Sequence, residues 1–233
     1  MKPKNWVQRF NLAIEGVIYT VKTQQHMRWH LFAALATLIL GLVLNISRTE
    51  FILLCMAIVL VLVTEMLNTA IETTVDMISE EYHPMAKNAK DIASGVVLIA
   101  SIGALILGYL ILYPAFKVAL LDGNWHIRRR PQDEVAFVAL AFVIILVIIL
   151  KVLLGKGEPL RGGMPSGHAA VSFSIGTAAW YLTGSVPIVL LALLLAIMVS
   201  WSRWSSGIHR PVEVIAGALL GAGVTLLFFQ LFS

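Results

Sequence analysis

The chain has 233 residues, 59% of them apolar and only 13% charged, with mean hydropathy +0.87. Soluble domains run nearer half apolar and a quarter charged, so this balance excludes a water-soluble globule, a disordered chain and a nucleic-acid-binding domain. The net charge of +4 is read as membrane topology, and the single Cys55, inside an apolar run, has no internal disulfide partner and reads as a small buried hydrophobe.

Residues 1–24 come first. Trp6, Phe10, Ile14, Val17 and Val21 recur at helical spacing between Lys2, Lys4, Arg9, Glu15 and Lys22. That pattern predicts an amphipathic helix lying on the membrane surface. With no long apolar core and no small-residue cleavage site, it does not read as a signal peptide. A spanning helix needs roughly 20 mostly apolar residues, and seven segments qualify: 29–46, 50–76, 92–114, 134–154, 167–184, 186–203 and 211–232. The polar stretch around Lys117, Asp122, Gly123 and Asn124 is too short to cross. It leaves membrane domains over 1–120 and 134–233, joined by a linker at 121–133. The expected fold is all-α and polytopic: a surface helix, three spans in the first domain and four in the second. Alternate loops then collect twelve of the 17 Lys and Arg on one face and five, including Arg128–Arg130, on the other. The positive-inside bias assigns the richer face to the cytoplasm of a bacterial inner membrane.

The end of the second span carries Glu65, Asn68, Glu72 and Asp76 at offsets 0, 3, 7 and 11. On a helix these fall within about 80° of one another. Ionisable groups at membrane depth cost at least ~2.5 kcal/mol each and usually mark function. Acidic oxygens in a row suit Mg²⁺ and the phosphates it carries. The plain alternative is a polar seam between helices, with Glu72 and Asp76 at the membrane surface. A polar turn with Glu81, Tyr82 and His83, then Lys90 and Asp91, follows.

The run E-x-x-N-T-A-I-E-x-x-V-D, then Y-H and A-K-D, resembles the small prokaryotic diacylglycerol kinase family, which includes undecaprenol kinases, over about residues 6–114. The resemblance implies a three-helix membrane kinase with a surface helix, forming homotrimers with shared active sites and using Mg²⁺ and ATP. It implies Glu65 as the general base for the lipid hydroxyl, Asn68 positioning the reacting groups, and Ser94 near the lipid. Glu72 would bind the metal, and Glu81, Tyr82, His83, Lys90 and Asp91, with Glu72, the ATP. Phosphoryl transfer needs positioning, a cation and a base more than covalent help. One position departs: Gln24 stands where the family often has a second acidic metal ligand, and supplies oxygen without charge. Glu15 is the nearby acid on the surface helix.

Three further pieces sit at successive span ends: KVLLGKGEP followed by Arg161, PSGH at 165–168, and SRWSSGIHRPVE from Ser202 to Glu213. A helix start presents free N–H groups to anions, so Ser166 and Gly167 are candidates for a phosphate cradle. Lys151, Arg161 and Arg203 supply positive charge. His209 and Glu213 at i+4 give an imidazole oriented by a carboxylate. Taken singly, a surface histidine and an i,i+4 pair are ordinary helix features.

Together the pieces resemble the type-2 phosphatidic acid phosphatase superfamily, with its pattern K-x6-R-P, P-S-G-H and S-R-x5-H-x3-D. Glu213 replaces Asp in the third motif. In the first, Lys151 and Pro159 match while Glu158 stands where Arg is expected, with Arg161 or Lys156 the available substitutes. The family's usual six spans are four here. The resemblance implies metal-free catalysis: in-line attack by His209, oriented by Glu213, with His168 protonating the leaving oxygen and Lys151, Arg161, Ser166, Gly167 and Arg203 holding phosphoryl oxygens. A kinase and a phosphatase on one monophosphate would waste ATP. The pairing makes sense if undecaprenol and undecaprenyl diphosphate both yield undecaprenyl phosphate. Three alternatives stay open: a diacylglycerol kinase with phosphatidate phosphatase activity, a phosphatase with a non-catalytic kinase-like scaffold, and, because of Glu158, a degenerate phosphatase half acting only as a membrane anchor. Gly217 and Gly221, four apart, read as close helix packing, and His26 and His30 as interfacial residues.

Overall fold

The computed structural model describes residues 6–44, 46–79, 81–121, 129–154 and 163–233. Among them every regular element is helical: α1 (Trp6–Thr23), α2 (Gln25–Val43), α3 (Arg48–Ile78), α4 (Pro84–Leu121), α5 (Gln132–Leu153), α6 (Gly167–Thr183), α7 (Val186–Ser205) and α8 (Pro211–Phe232). The protein is an all-α polytopic membrane protein. Six of the helices, α2, α3, α4, α5, α7 and α8, are long and apolar enough to cross a bilayer. α6 has 17 residues, at the lower end of what a crossing requires. Arg161, Lys156, Glu158, Pro159 and Arg128 lie outside the described residues. The chain divides into two compact units, residues 20–127 and residues 128–233 together with 1–19.

In the first unit, α3 packs on both α2 and α4. Its start is set locally by a capping box: Ser47 Oγ accepts from the Glu50 N–H at 3.3 Å while Glu50 Oε2 accepts from the Ser47 N–H at 2.7 Å. Leu44, Ile46, Leu54 and Ile111 bury together at that end. At the other end the chain leads into α4, where His83 Nδ1 accepts from the Met85 N–H at 3.2 Å. At 38 residues α4 is about 57 Å long and outruns the hydrocarbon core at its ends.

In the second unit α6 packs against α5, α7 and α8. Small residues let it do so: Ala169, Ala170, Ser174, Gly176 and Ala178 are its buried positions. A Cβ on Gly217 would collide with the Ser166 carbonyl, and one on Gly221 with the Ala170 carbonyl. The two glycines thus seat α8 directly on the α6 backbone, the close packing expected of their spacing. Deeper along the same seam Ser174 and Thr225 share a hydrogen bond at 2.7 Å, and Tyr181 stacks on Phe229 at 4.2 Å. Gly184, with φ +58°, caps α6 in the left-handed region and turns the chain at once into α7. The Arg130 N–H donates to the Phe232 carbonyl at 2.6 Å, tying the start of α5 to the end of α8.

Candidate active sites

The acidic stripe of α3 enters the first unit as a graded series. Thr64, Glu65, Asn68 and Thr69 are buried, Glu65 with only 3% exposed. Glu72 is half-buried and Asp76 exposed. Asn68 Nδ2 donates to Glu72 Oε1 at 2.9 Å, and Gln24 Nε2 donates to Glu72 Oε2 at 3.4 Å. Gln24 and Glu72, 48 residues apart in sequence, are therefore neighbours. Asn68 Oδ1 is buried with no hydrogen-bond partner. Lys90 pairs with Asp76, and Lys87 with Asp91 at 2.5 Å. These pairs fasten the head of α4 to the stripe and to itself. Glu81, Tyr82 and His83 stand exposed on the turn between α3 and α4, and Ser94 is exposed one turn along from Lys90 and Asp91.

Spacing alone left out His30. It is half-buried on α2, senses the charge of Glu65, and lines a cavity of about 690 Å³ between α2, α3 and α4. The rest of that lining is mostly apolar, including Leu54, Val61, Leu105 and Leu112, with Tyr109 and Tyr113. From His30 to Leu44 the wall of α2 runs about 21 Å. The electrostatic influence of Glu65 on His30 crosses between separate helices, so no local periodicity signals it.

Among the described residues no three His, Cys, Asp or Glu side chains converge as a ready cation cage. Glu72 with two carboxamides, one of them carrying an unpaired buried oxygen, is an oxygen donor set of low charge. It fits Mg²⁺ that arrives on nucleotide phosphates and keeps part of its water.

The second constellation gathers where α6 and α8 begin and α7 ends. Ser166, fully buried, is the N-cap of α6; its Oγ accepts from the Ala169 N–H at 3.5 Å, and its own N–H donates to the Glu213 carbonyl at 2.9 Å. Glu213 also works through its side chain. Oε2 stands 2.8 Å from His209 Nδ1 and accepts from the Arg210 N–H at 3.2 Å. The Gly163 backbone, at φ +93°, hydrogen-bonds the same carboxylate. One residue thus joins the start of α6 to the imidazole. The His209 N–H donates to the Arg203 carbonyl at 3.1 Å, which fixes the turn carrying it. His209 is 5% exposed. Burial pushes its imidazole below the ordinary 6.5, outweighing the upward pull of Glu213, and Lys151 and Arg203 push the same way as burial. His168, half-buried, senses Arg203, His209 and Lys151. Lys151, Ser166, His168, Arg203, His209 and Glu213 therefore belong to one electrostatic neighbourhood, with Gly167 in the first turn of α6.

Residues 11–112 match the family described as prokaryotic diacylglycerol kinase, and residues 135–233 match the PAP2 superfamily. An undecaprenol kinase of Bacillus subtilis is 39% identical over 99 residues, covering 42% of this chain and 80% of that protein. A diacylglycerol kinase of Escherichia coli is 38% identical over 84 residues, 36% of this chain and 69% of that protein. An undecaprenyl-diphosphatase of Sulfolobus acidocaldarius is 38% identical over 74 residues, 32% of this chain and 35% of that protein. No solved structure matches the chain. On these matches the chain belongs to the prokaryotic diacylglycerol kinase family and continues into a PAP2-superfamily domain, so that a lipid kinase and a phosphatase share one membrane polypeptide.

Proposed function

We propose that the chain makes undecaprenyl phosphate by two routes, phosphorylating undecaprenol with ATP and hydrolysing undecaprenyl diphosphate. The observation that carries this reading is the pairing itself. Matched relatives of this chain are named for an undecaprenol kinase and an undecaprenyl-diphosphatase. Two activities ending on one product avoid the ATP-wasting cycle that a shared monophosphate would set up.

In the kinase unit Glu65 takes the proton of the lipid hydroxyl, its burial keeping water from competing. Glu72, held by Asn68 and Gln24, is the residue that would hold Mg²⁺, with Asn68 also positioning the reacting groups. The bound Mg²⁺-ATP would supply the transferred phosphoryl group. Lys90, Asp91, Glu81, Tyr82 and His83 face the nucleotide, and Ser94 lies toward the lipid. The apolar cavity reaching from His30 receives part of the lipid tail. The uncovered apolar flank of α4, of which only 6% is buried, supports assembly with further copies, in keeping with the trimer expected of the family.

In the phosphatase unit, Nε2 of His209 attacks phosphorus in line while Glu213 holds the Nδ1 proton. The N–H groups at the start of α6, with Lys151 and Arg203, hold the phosphoryl oxygens, and Arg161 adds to them. His168 gives a proton to the leaving oxygen and then helps water open the phosphohistidine. The excess of Lys and Arg in alternate loops supports a cytoplasmic position for both sites at the inner membrane.

Purified protein supplied with undecaprenyl diphosphate should release phosphate, and with undecaprenol plus Mg-ATP should form the monophosphate. Turnover of phosphatidic acid and diacylglycerol alone would overturn the carrier-lipid assignment. One observation favours a second reading: Gln24 gives Glu72 an N–H rather than a second negative charge. If the kinase unit is only a scaffold, the parent phosphorylates no lipid, and Gln24→Glu restores the activity. Substantial kinase activity in the parent would remove this option.

A further inference from the structure

The helices of this chain mostly satisfy their hydroxyls in one way. Thr64, Thr69, Thr73, Ser172, Thr177 and Thr183 each donate to a carbonyl three or four residues back, at 2.7–2.9 Å. That back-bonding is how helical Ser and Thr settle in apolar surroundings. Ser200 on α7 does not follow it. The residue is 7% exposed, and its Oγ has no hydrogen-bond partner. Nearly one turn on, Arg203 Nε is also buried and unpaired. Ala196, fully buried, Ser200 and Arg203 lie at offsets 0, 4 and 7, on one face of the helix. α7 packs chiefly on α6, so this face is turned to α6.

The helix register says what stands opposite. α6 and α7 form an antiparallel hairpin closed by Gly184 and Ser185, which puts Thr183 opposite Val186. Deeper in the pair, a Cβ on Gly176 would meet the Leu193 side chain at 3.2 Å and the Ala192 backbone at 3.9 Å. Both pairings give the same register. Carried along helices of equal rise, it brings Ser200 level with His168 and Ala169, and Arg203 level with Pro165 and Ser166. The charge of Arg203 is felt at His168, in keeping with this register.

We propose that Ser200 is a further substrate contact of the phosphatase site, donating its hydroxyl, together with Arg203 Nε, to a phosphoryl oxygen held level with His168. The proposal rests on the phosphatase reading given above. Two unpaired donors on one buried face, beside the positive charge of Lys151, select an anion. A desolvated hydroxyl with no acceptor among the protein's own groups gains one when phosphate binds. Ser200 lies deeper in its span than Arg203, toward the hydrocarbon where the lipid leaving group extends. Its oxygen partner is therefore on the side where His168 delivers its proton.

The test uses the full-length protein, hydrolysis of a lipid phosphate, and inorganic phosphate as competitive inhibitor. Ser200→Ala should lower kcat/KM about tenfold and weaken inhibition by inorganic phosphate by a similar factor, the worth of one hydrogen bond to a charged group. Its melting temperature should hold or rise, because the change removes an unpaired buried hydroxyl. Ser200→Thr keeps the donor and should keep phosphate inhibition within about twofold of the parent. Unchanged kcat/KM and phosphate inhibition in Ser200→Ala would overturn the proposal. So would a loss of activity that accompanies a lower melting temperature and leaves phosphate inhibition intact. A parent protein that hydrolyses no lipid phosphate would instead overturn the phosphatase reading, and this contact with it.

Discussion

Gly103 on α4 has nothing within 4 Å of where a Cβ would sit, and the same holds for Gly95 and Gly108 on that helix. Gly221 on α8 is pressed so closely to the Ala170 carbonyl that any side chain there must move a backbone. The contrast is between α4 and the α6–α8 pair. Only 6% of the most apolar stretch of α4 is buried. In residues 128–233 the short α6 is held on three sides by other helices. The second unit seats α8 on the α6 backbone through close contacts that glycine allows at positions 217 and 221. The kinase unit buries the polar end of its stripe and leaves long apolar flanks for lipid or for other copies.

If the two sites work independently, His209→Ala should cut lipid phosphate hydrolysis by about 10³-fold or more and spare ATP-dependent phosphorylation. Glu65→Ala should do the reverse. Loss of both activities from either change would show that the units share one site. A smaller effect separates their packing. Gly221→Val should destabilise the protein by about 3 kcal/mol through overpacking. Gly103→Ala should be neutral or stabilising by up to about 1 kcal/mol, through helix propensity. Thermal melts of the two variants check this, and a clear loss in Gly103→Ala would place a neighbouring copy against α4. The smallest expected effect is a shift in pH dependence. If His209 is the nucleophile proposed above, its imidazole must be neutral, and burial holds its pKa below 6.5. The acid limb of phosphatase kcat/KM should therefore lie below that pH. Glu213 opposes this shift, so Glu213→Gln should move the limb to still lower pH while slowing the reaction. A limb moving upward would reverse the balance between burial and the carboxylate.

Hydropathy marked out where the bilayer lies better than where helices end. The apolar run 92–114 sits inside a helix that continues from Pro84 to Leu121, because Lys87, Lys90 and Asp91 lie past the hydrocarbon without breaking the helix. The stripe Glu65, Asn68, Glu72 and the pair His209–Glu213 were visible as spacing, since residues three or four apart on a helix must share a face. The partners of those residues were not. Gln24 reaches Glu72 across 48 positions, His30 senses Glu65 from another helix, and the Ser166 N–H meets the Glu213 carbonyl through the backbone.

Composition and local periodicity suffice to say that this chain lives in a membrane as helices, and that carboxylates, imidazoles and cations recur at its span ends. Those properties belong to single helices, where energy depends on neighbours one turn away. Helix register and distance of approach belong to pairs of helices far apart in sequence. It took the folded chain to bring Glu213 against both Gly163 and Ser166, to seat α8 on the backbone of α6 through Gly217 and Gly221, and to leave the Ser200 hydroxyl buried with no acceptor.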